Sequence, residues 1–477
     1  MTDTPEERPR FQNIREIIQG ELGKRFEEPG PQQERQWHGS LSDQLPVLHL
    51  EDVSAIPFID GVAGIEEYQH RARVRAREGD LFASISAPAP GYETYCRDHL
   101  GLGRVECVQA EQRSTASEVA LACAGGDALE RISARARAAD GMVIHPYMGI
   151  EAVWGLASVL EGEASVPVHV LAPVPSALWI ANDKQRLDEV ARLIGLEHIL
   201  VDTRWSNSEE EIASDLRELA SLHKTVGLKR TRCASAMGNE VHTSASILEG
   251  DEAATLALVK SFLERTEWPG DEQVLVVQWA ETHLSPSTQL WIPPLGEGAP
   301  RLDGVFEQLL EGPEKVFLGS RPSTLPAPVE RALGEASLDL CVAFQEMGYI
   351  GRCSFDFLVL GDVDGDFEVK LTECNGRWGG TSTPMHLVDR LIPDRRPAYI
   401  AQDVMDSSLV GVPFPQIIER TRAAGELFDP STGKGRFIYY NVGPLTKKGK
   451  LDVISVGKDP EDARYGMLER LPEVLGF

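Results

Sequence analysis

Four polar residues, Asp356, Glu373, Asn375 and Arg377, have the types and spacing that phosphate chemistry needs. The stretch GRCSFDFLVLGDVDGDFEVKLTECNGRWGG (351–380) reads as two strands joined at Asp364-Gly365. That dipeptide readily takes the φ > 0 geometry of a two-residue hairpin turn. The turn pairs Leu360 with Val369, Leu358 with Leu371 and Asp356 with Glu373, and alternation puts these residues on one face with Asn375 and Arg377. Directly opposed carboxylates repel unless a cation sits between them. Two carboxylates and an amide oxygen on one wall, with an arginine beside them, suit Mg²⁺ bridging the phosphates of a nucleotide. The run DVDGDFEVKLTE also spaces its acids like a calcium-binding EF-hand loop, but its glycine comes too early and its flanks read as strands. A solvated hairpin with incidental charge is the competing reading of the segment.

The elements that must position these groups follow a clear pattern. Short apolar runs (PVLHL, LFASI, VECVQ, MVIHPYM, VPVHVLAP) alternate with helix-like stretches such as GIEEYQHRARVRAREG and GDALERISARARAAD. Such alternation predicts a parallel sheet flanked by helices, with a ligand crevice at the carboxyl ends of its strands. No G-x-G-x-x-G occurs, so no dinucleotide site is expected. A helix is predicted over 176–196, followed by the strand TVGLKR, a loop, the helix GDEAATLALVKSFLERT and the strand EQVLVVQ. The helix PAPVERALGEASLDLCVAFQEMG leads into the hairpin above, and the tail reads as a second hairpin and a closing helix.

Composition narrows the function classes. The 477 residues exceed one ordinary core and predict two to four domains. A formal net charge of −27 argues against gripping nucleic acid or anionic lipid through the whole surface. No apolar run approaches the ~20 residues that span a bilayer. Seven scattered cysteines without a C-x-x-C predict neither a disulfide framework nor a zinc site. With the polar start MTDTPEERPR, this leads us to expect a cytoplasmic protein.

Asp356 followed by Glu373-Cys374-Asn375-Gly376-Arg377 resembles the metal-binding end of the ATP-grasp superfamily, over roughly residues 180–477. The resemblance implies that Asp356, Glu373 and Asn375 hold two Mg²⁺ ions, and that Arg377 is catalytic, steadying the transferring phosphoryl group or acyl phosphate. It also implies that Lys184, in ANDK, and Lys229, in VGLKRT, reach the phosphates of ATP. VVQWAE is similar to the family's adenine hinge, with backbone groups of Gln278, Trp279 and Ala280 pairing with the base and Glu281 accepting from the ribose. The loop CASAMGN stands where the family has a glycine-rich flap over the phosphates. Here only Gly238 is a glycine, and Ser235 and Asn239 would supply side-chain donors instead.

Within the superfamily, ECNGRWGGTSTP is similar to the signature of pheganomycin-type peptide ligases, although Thr383 stands where that group has histidine. The resemblance implies an α/β (α+β) protein with a flexible N-terminal segment (1–36), a parallel-sheet pre-ATP-grasp domain (37–175) and two ATP-grasp lobes (176–290 and 291–477). The implied activity joins a small-molecule or peptide carboxylate to an amine through an acyl phosphate, releasing ADP and phosphate. Neither nucleic acid nor membrane is an expected partner, and the N-terminal domain offers a surface for homodimerisation. Two alternatives stay open: another ATP-grasp enzyme, a carboxylase or small-metabolite synthetase, and a catalytically silent nucleotide binder. The chain lacks the A-M-K-M biotin-attachment motif.

Overall fold

A computed structural model describes residues 9–39, 45–232, 238–280, 282–312, 316–394 and 396–477. Three sheets organise them. The first is all parallel, in the order β3-β2-β1-β4-β5, from β1 (Val47–Leu50), β2 (Leu81–Ser84), β3 (Glu106–Gln109), β4 (Met142–Pro146) and β5 (Val168–Val170). These are the five apolar runs of the sequence. Apart from β3, their side chains are almost wholly buried, as expected where helices cover both faces of a parallel sheet.

The second sheet is antiparallel, in the order β6-β9-β7-β8, from β6 (Thr203–Ser206), β7 (Thr225–Arg230), β8 (Asn239–Thr243) and β9 (Val274–Gln278). Its apolar face packs on the helices Glu209–Leu222 and Glu252–Arg265 through Leu216, Leu219, Val259 and Phe262.

The third sheet has eight strands in the order β14-β13-β10-β11-β12-β15-β17-β16. They are β10 (Pro286–Ile292), β11 (Arg301–Glu311), β12 (Val316–Pro322), β13 (Gly351–Gly361), β14 (Phe367–Asn375), β15 (Ala398–Met405), β16 (Phe437–Asn441) and β17 (Lys450–Gly457). The helix Ala327–Glu346 covers one part of this sheet, with Leu333, Leu340 and Phe344 fully buried.

Three expectations are corrected. The segment 1–36 is not simply a flexible extension, because Pro9–Glu21 is a helix. Its Phe11, Ile14 and Ile18 recur at helical spacing and are buried in the main core. Arg15 then ties it to the core helix, pairing with Glu346 and donating to Gln345 at 2.8 Å.

The single helix expected over 176–196 is two, Pro175–Asn182 and Lys184–Leu193. Asp183 leaves the helical conformation to cap the second, accepting from the backbone N–H groups of Gln185 (3.0 Å) and Arg186 (3.2 Å).

The hairpin turn is longer than two residues. Gly361 pairs with Phe367, and the loop between them closes through the Gly365 N–H on the Asp362 carbonyl. This shifts the register by one, to Leu360 opposite Glu368, Leu358 opposite Lys370 and Phe357 opposite Leu371. A bulge at Thr372 then restores the expected pairing of Asp356 with Glu373. Leu371 therefore lies with Phe357 in the core rather than on the face of Glu373.

Candidate active site

β13 and β14 carry Ser354, Asp356, Glu373 and Asn375 side by side, because Ser354 opposes Asn375 and Asp356 opposes Glu373. All four line a cavity of about 490 Å³, together with Arg377, Ser287 and Gln308. Its walls come from the eight-stranded sheet and from residues 53–71 and Tyr147 of the N-terminal part.

Asp356 is buried and accepts hydrogen bonds from Asn375 Nδ2 (3.0 Å) and from the side chains of Ser287 and Gln308. Burial, then the charge of Glu373, push its carboxyl up to about 7. Glu373 behaves oppositely. Burial alone would raise it, but the ammoniums of Lys184 and Lys229 outweigh that and hold it below the usual carboxylate range. Lys184 Nζ lies 3.1 Å from Glu373 Oε2. Lys184 begins a helix, where a cation meets the positive end of the helix dipole, so its partner carboxylate does double duty.

Arg377 spans the centre of the site. It donates to Asn375 Oδ1 (2.8 Å) and to the Tyr147 hydroxyl (3.1 Å), with its guanidinium 5.7 Å from the Tyr147 ring centre. Between Asn375 and Arg377, Gly376 is clasped by Asn182, whose Oδ1 accepts from the Gly376 N–H at 3.1 Å. A Cβ at Gly376 would stand 2.6 Å from Asn182 Nδ2, so no larger residue fits that clasp. Gly380 faces Phe317 just as closely, at 2.5 Å from a built Cβ.

Of the other expected residues that are described, Lys229, Asn239 and Gln278 lie on the four-stranded sheet, Gly238, Trp279 and Ala280 adjoin its strands, and Lys184 begins a helix; none of them lines this cavity. Lys229, on β7, stands 4.8 Å above the Trp279 ring and contributes its charge to Glu373. Lys184 is bound to the end of β7 through its N–H on the Thr231 carbonyl, 3.1 Å. In the expected hinge, the N–H of Gln278 is taken by the Asp202 carbonyl (2.8 Å) and that of Trp279 by the Thr225 carbonyl (2.9 Å). Those two donors are therefore engaged in the protein, and Ala280 is the first hinge residue beyond them. Gly238 binds back to β7, its carbonyl accepting from the Arg230 N–H at 3.0 Å, and Asn239 opens β8 opposite Lys229. Ser235 and Glu281 lie outside the described residues.

Several residues of the site had no place in the sequence reading: Tyr147, Tyr68, Arg71, Asp403, Lys450 and Asp452, which line the cavity, and Asn182, which clasps Gly376. Some left a signal. Lys450 and Asp452 alternate in KLDVIS, which places two charges on one face of an otherwise apolar strand. Asn182 stands two residues before Lys184. Tyr68, Arg71 and Tyr147 are brought in by tertiary packing alone.

No protein-family model matches the chain, and no curated protein matches its sequence. Solved structures do match. N5-carboxyaminoimidazole ribonucleotide synthetase from Thermus thermophilus superimposes with a TM-score of 0.51 at 14% identity, over 90% of this chain and 98% of that one. The Aspergillus clavatus carboxyaminoimidazole ribonucleotide synthase, complexed with ATP, gives 0.51 at 14% over 91% and 98%. The biotin carboxylase domain of the Hydrogenobacter thermophilus 2-oxoglutarate carboxylase, with MgADP, ADP and bicarbonate, gives 0.51 at 13% over 90% and 89%. The architecture is the ATP-grasp fold, as the hairpin motif led us to expect.

Proposed function

We propose that the protein is an ATP-dependent carboxylate–amine ligase that forms an amide or peptide bond through an acyl phosphate, releasing ADP and phosphate. The observation that carries this reading is the convergence of Asp356, Glu373, Asn375 and Arg377 on the wall of one cavity, with Lys184 on Glu373. The fold supports it, since similar structures have been solved with ATP or MgADP.

The donor set fits Mg²⁺. Among the described residues no three His, Cys, Asp or Glu side chains cluster as a metal site. Two carboxylates and an amide are, however, the partial protein shell that leaves places for phosphate oxygens. Burial and then the Glu373 charge raise the Asp356 carboxyl, and a divalent cation between the two acids would offset both. Asp356, Glu373 and Asn375 would hold the metal. Bound there, Mg²⁺ would neutralise charge on the phosphates.

The protein's own contribution is placement and charge. Lys184 and Lys229 set two ammoniums beside Glu373, where phosphates would lie. Arg377, fixed by Asn375 and Tyr147, meets charge that develops as the carboxylate takes up the phosphoryl group and again as the amine displaces phosphate. Asn182 keeps Gly376 and therefore both its neighbours in place. Residues 37–175 would close one side of the substrate cavity, and the 176–290 lobe would clasp the nucleotide.

A carboxylase is the second reading, favoured by the names of the similar structures. One experiment tests both. With MgATP, hydroxylamine and a panel of carboxylic acids, a ligase yields a hydroxamate, whereas ADP release that depends on bicarbonate marks a carboxylase. ADP release with neither overturns the ligase reading, as does silence with every acid.

A further inference from the structure

We propose that the end of the cavity remote from Asp356 is a subsite for a protonated amine of the substrate, built on Asp452 and Asp403; this rests on the reading of the cavity as a ligase's active site.

Asp403 on β15 and Asp452 on β17 oppose each other directly in the eight-stranded sheet, and both line the cavity. The cations nearby are already committed. Lys450 Nζ lies 2.9 Å from Asp403 Oδ2 and donates to the Tyr68 hydroxyl at 2.8 Å. Arg71 binds Glu51 at 2.6 Å and lies 4.2 Å from the Tyr68 ring centre, while Arg75 shares Glu51 at 3.7 Å. That leaves Asp452 as the carboxylate of this cluster without an ion pair among the described residues. Its Oδ2 accepts from Asn441 Nδ2 at 3.1 Å. Its Oδ1 has no hydrogen-bond partner in the protein, although the residue is only 4% exposed.

A buried carboxylate oxygen without a donor is costly unless something else supplies one. Asp452 is a lining residue of the cavity, so a ligand that enters there can supply one. The carboxylate left without an ion pair selects a donor with positive charge, and Tyr68 and Tyr440, which also line the cavity, suit an alkylammonium. Burial, then the Asp403 charge, raise Asp452 to about 6, so it is ionised at pH 7.5 and able to pair. A metal ion is the poorer occupant, because no third His, Cys, Asp or Glu ligand joins the pair among the described residues.

Position decides the role of the amine. Asp356 on β13 and Asp452 on β17 are five strand steps apart in the sheet order. An ammonium held at Asp452 is thus kept on a different part of the sheet from Asp356 and Glu373 and identifies the substrate rather than reacting. The substrate class is a molecule with an ammonium group separated from its reacting end, such as a basic amino acid or a peptide with a free amino terminus.

Calorimetric titration tests this with probes that differ only in an ammonium or methyl terminus: β-alanine against butyrate, and 6-aminohexanoate against heptanoate. Each pair is titrated with and without MgADP. The wild-type protein is expected to prefer the aminated member of at least one pair by about tenfold or more, the strength of one charged hydrogen bond. Asp452→Asn should level the two while MgADP affinity stays within about twofold. Asp403→Asn supplies the same reading if the first variant does not fold. Absence of any preference in the wild type overturns the subsite, as does a preference that survives both substitutions. MgADP titrated alone separates the two proposals, since a wild-type protein that does not bind it sinks the ligase reading and leaves the amine preference to be judged on its own.

Discussion

The eight-stranded sheet carries two pairs of directly opposed carboxylates on the wall of one cavity, and they are neutralised in different ways. At the Asp356–Glu373 end, the compensating cations come from outside the sheet: Lys184 from a helix, Lys229 from the neighbouring sheet and Arg377 from the loop after β14. At the Asp403–Asp452 end, Lys450 lies two residues from Asp452 on the same strand and satisfies Asp403 permanently. On the proposed reading, the first arrangement leaves charge that can be traded when a cation and phosphates arrive. The second leaves one oxygen of Asp452 waiting for a donor. If both proposals hold, cross-strand acid pairs in this sheet mark places where a ligand, rather than the fold alone, completes the electrostatics.

Breaking the first pair should have the largest effect. Glu373→Gln or Arg377→Ala is expected to lower ADP release by about a hundredfold to a thousandfold, as loss of a preorganised charge contact does. The thermal midpoint should hold, because both groups border the cavity rather than the core. Near-normal turnover in either variant, measured by a coupled ADP assay, would remove the distinction between the two ends.

The second pair should give itself away through stability. Asp452 titrates at about 6 in the folded protein, above the ordinary 3.8. The folded state then binds more protons than the unfolded chain between those values, so stability declines as pH rises through them and the cost is complete above about 6. Asp452→Asn removes that cost. The variant should exceed the wild type by up to about 3 kcal/mol at pH 8 in urea unfolding, with the gain vanishing below about pH 4. An equal gain at both pH values would refute the assignment.

Asn182→Ala sharpens the contrast at smaller scale. It frees Gly376 without touching a charge, and turnover should fall about tenfold while MgADP affinity changes little.

How much of this was legible in the sequence follows from what each strand faces. β1 to β5 were readable because most of their residues face apolar surroundings, so the runs themselves are apolar. β10, β11 and β12 were not, since they present Ser287, Gln289, Gln308 and Gly319 to a polar cavity and lose the two-residue alternation. The helix Pro9–Glu21 hid in a charged stretch, with three core residues too sparse to read against it. Asp356, Glu373, Asn375 and Arg377 could be grouped from the sequence because they lie close together on one hairpin and the loop after it. Tyr147, Arg71 and Asp452 come from three distant segments, and no local pattern could join them.

The bulge at Thr372 has a consequence for how this protein tolerates changes in length. Were β14 to keep the turn-side register without it, Glu373 would oppose Phe355 and Asn375 would oppose Cys353, both on the core face. One added residue thus acts as a phase shifter, letting a single strand serve the core at Leu371 and the cavity from Glu373 onward. Insertions should be tolerated at one end of the strand and lethal at the other. A glycine added after Gly365, in the open turn, should leave turnover and melting nearly unchanged, the smallest effect expected here. The same glycine placed between Thr372 and Glu373 should abolish ADP release, and equal behaviour of the two insertions in that assay would show that the phase of the strand is not what sets the site.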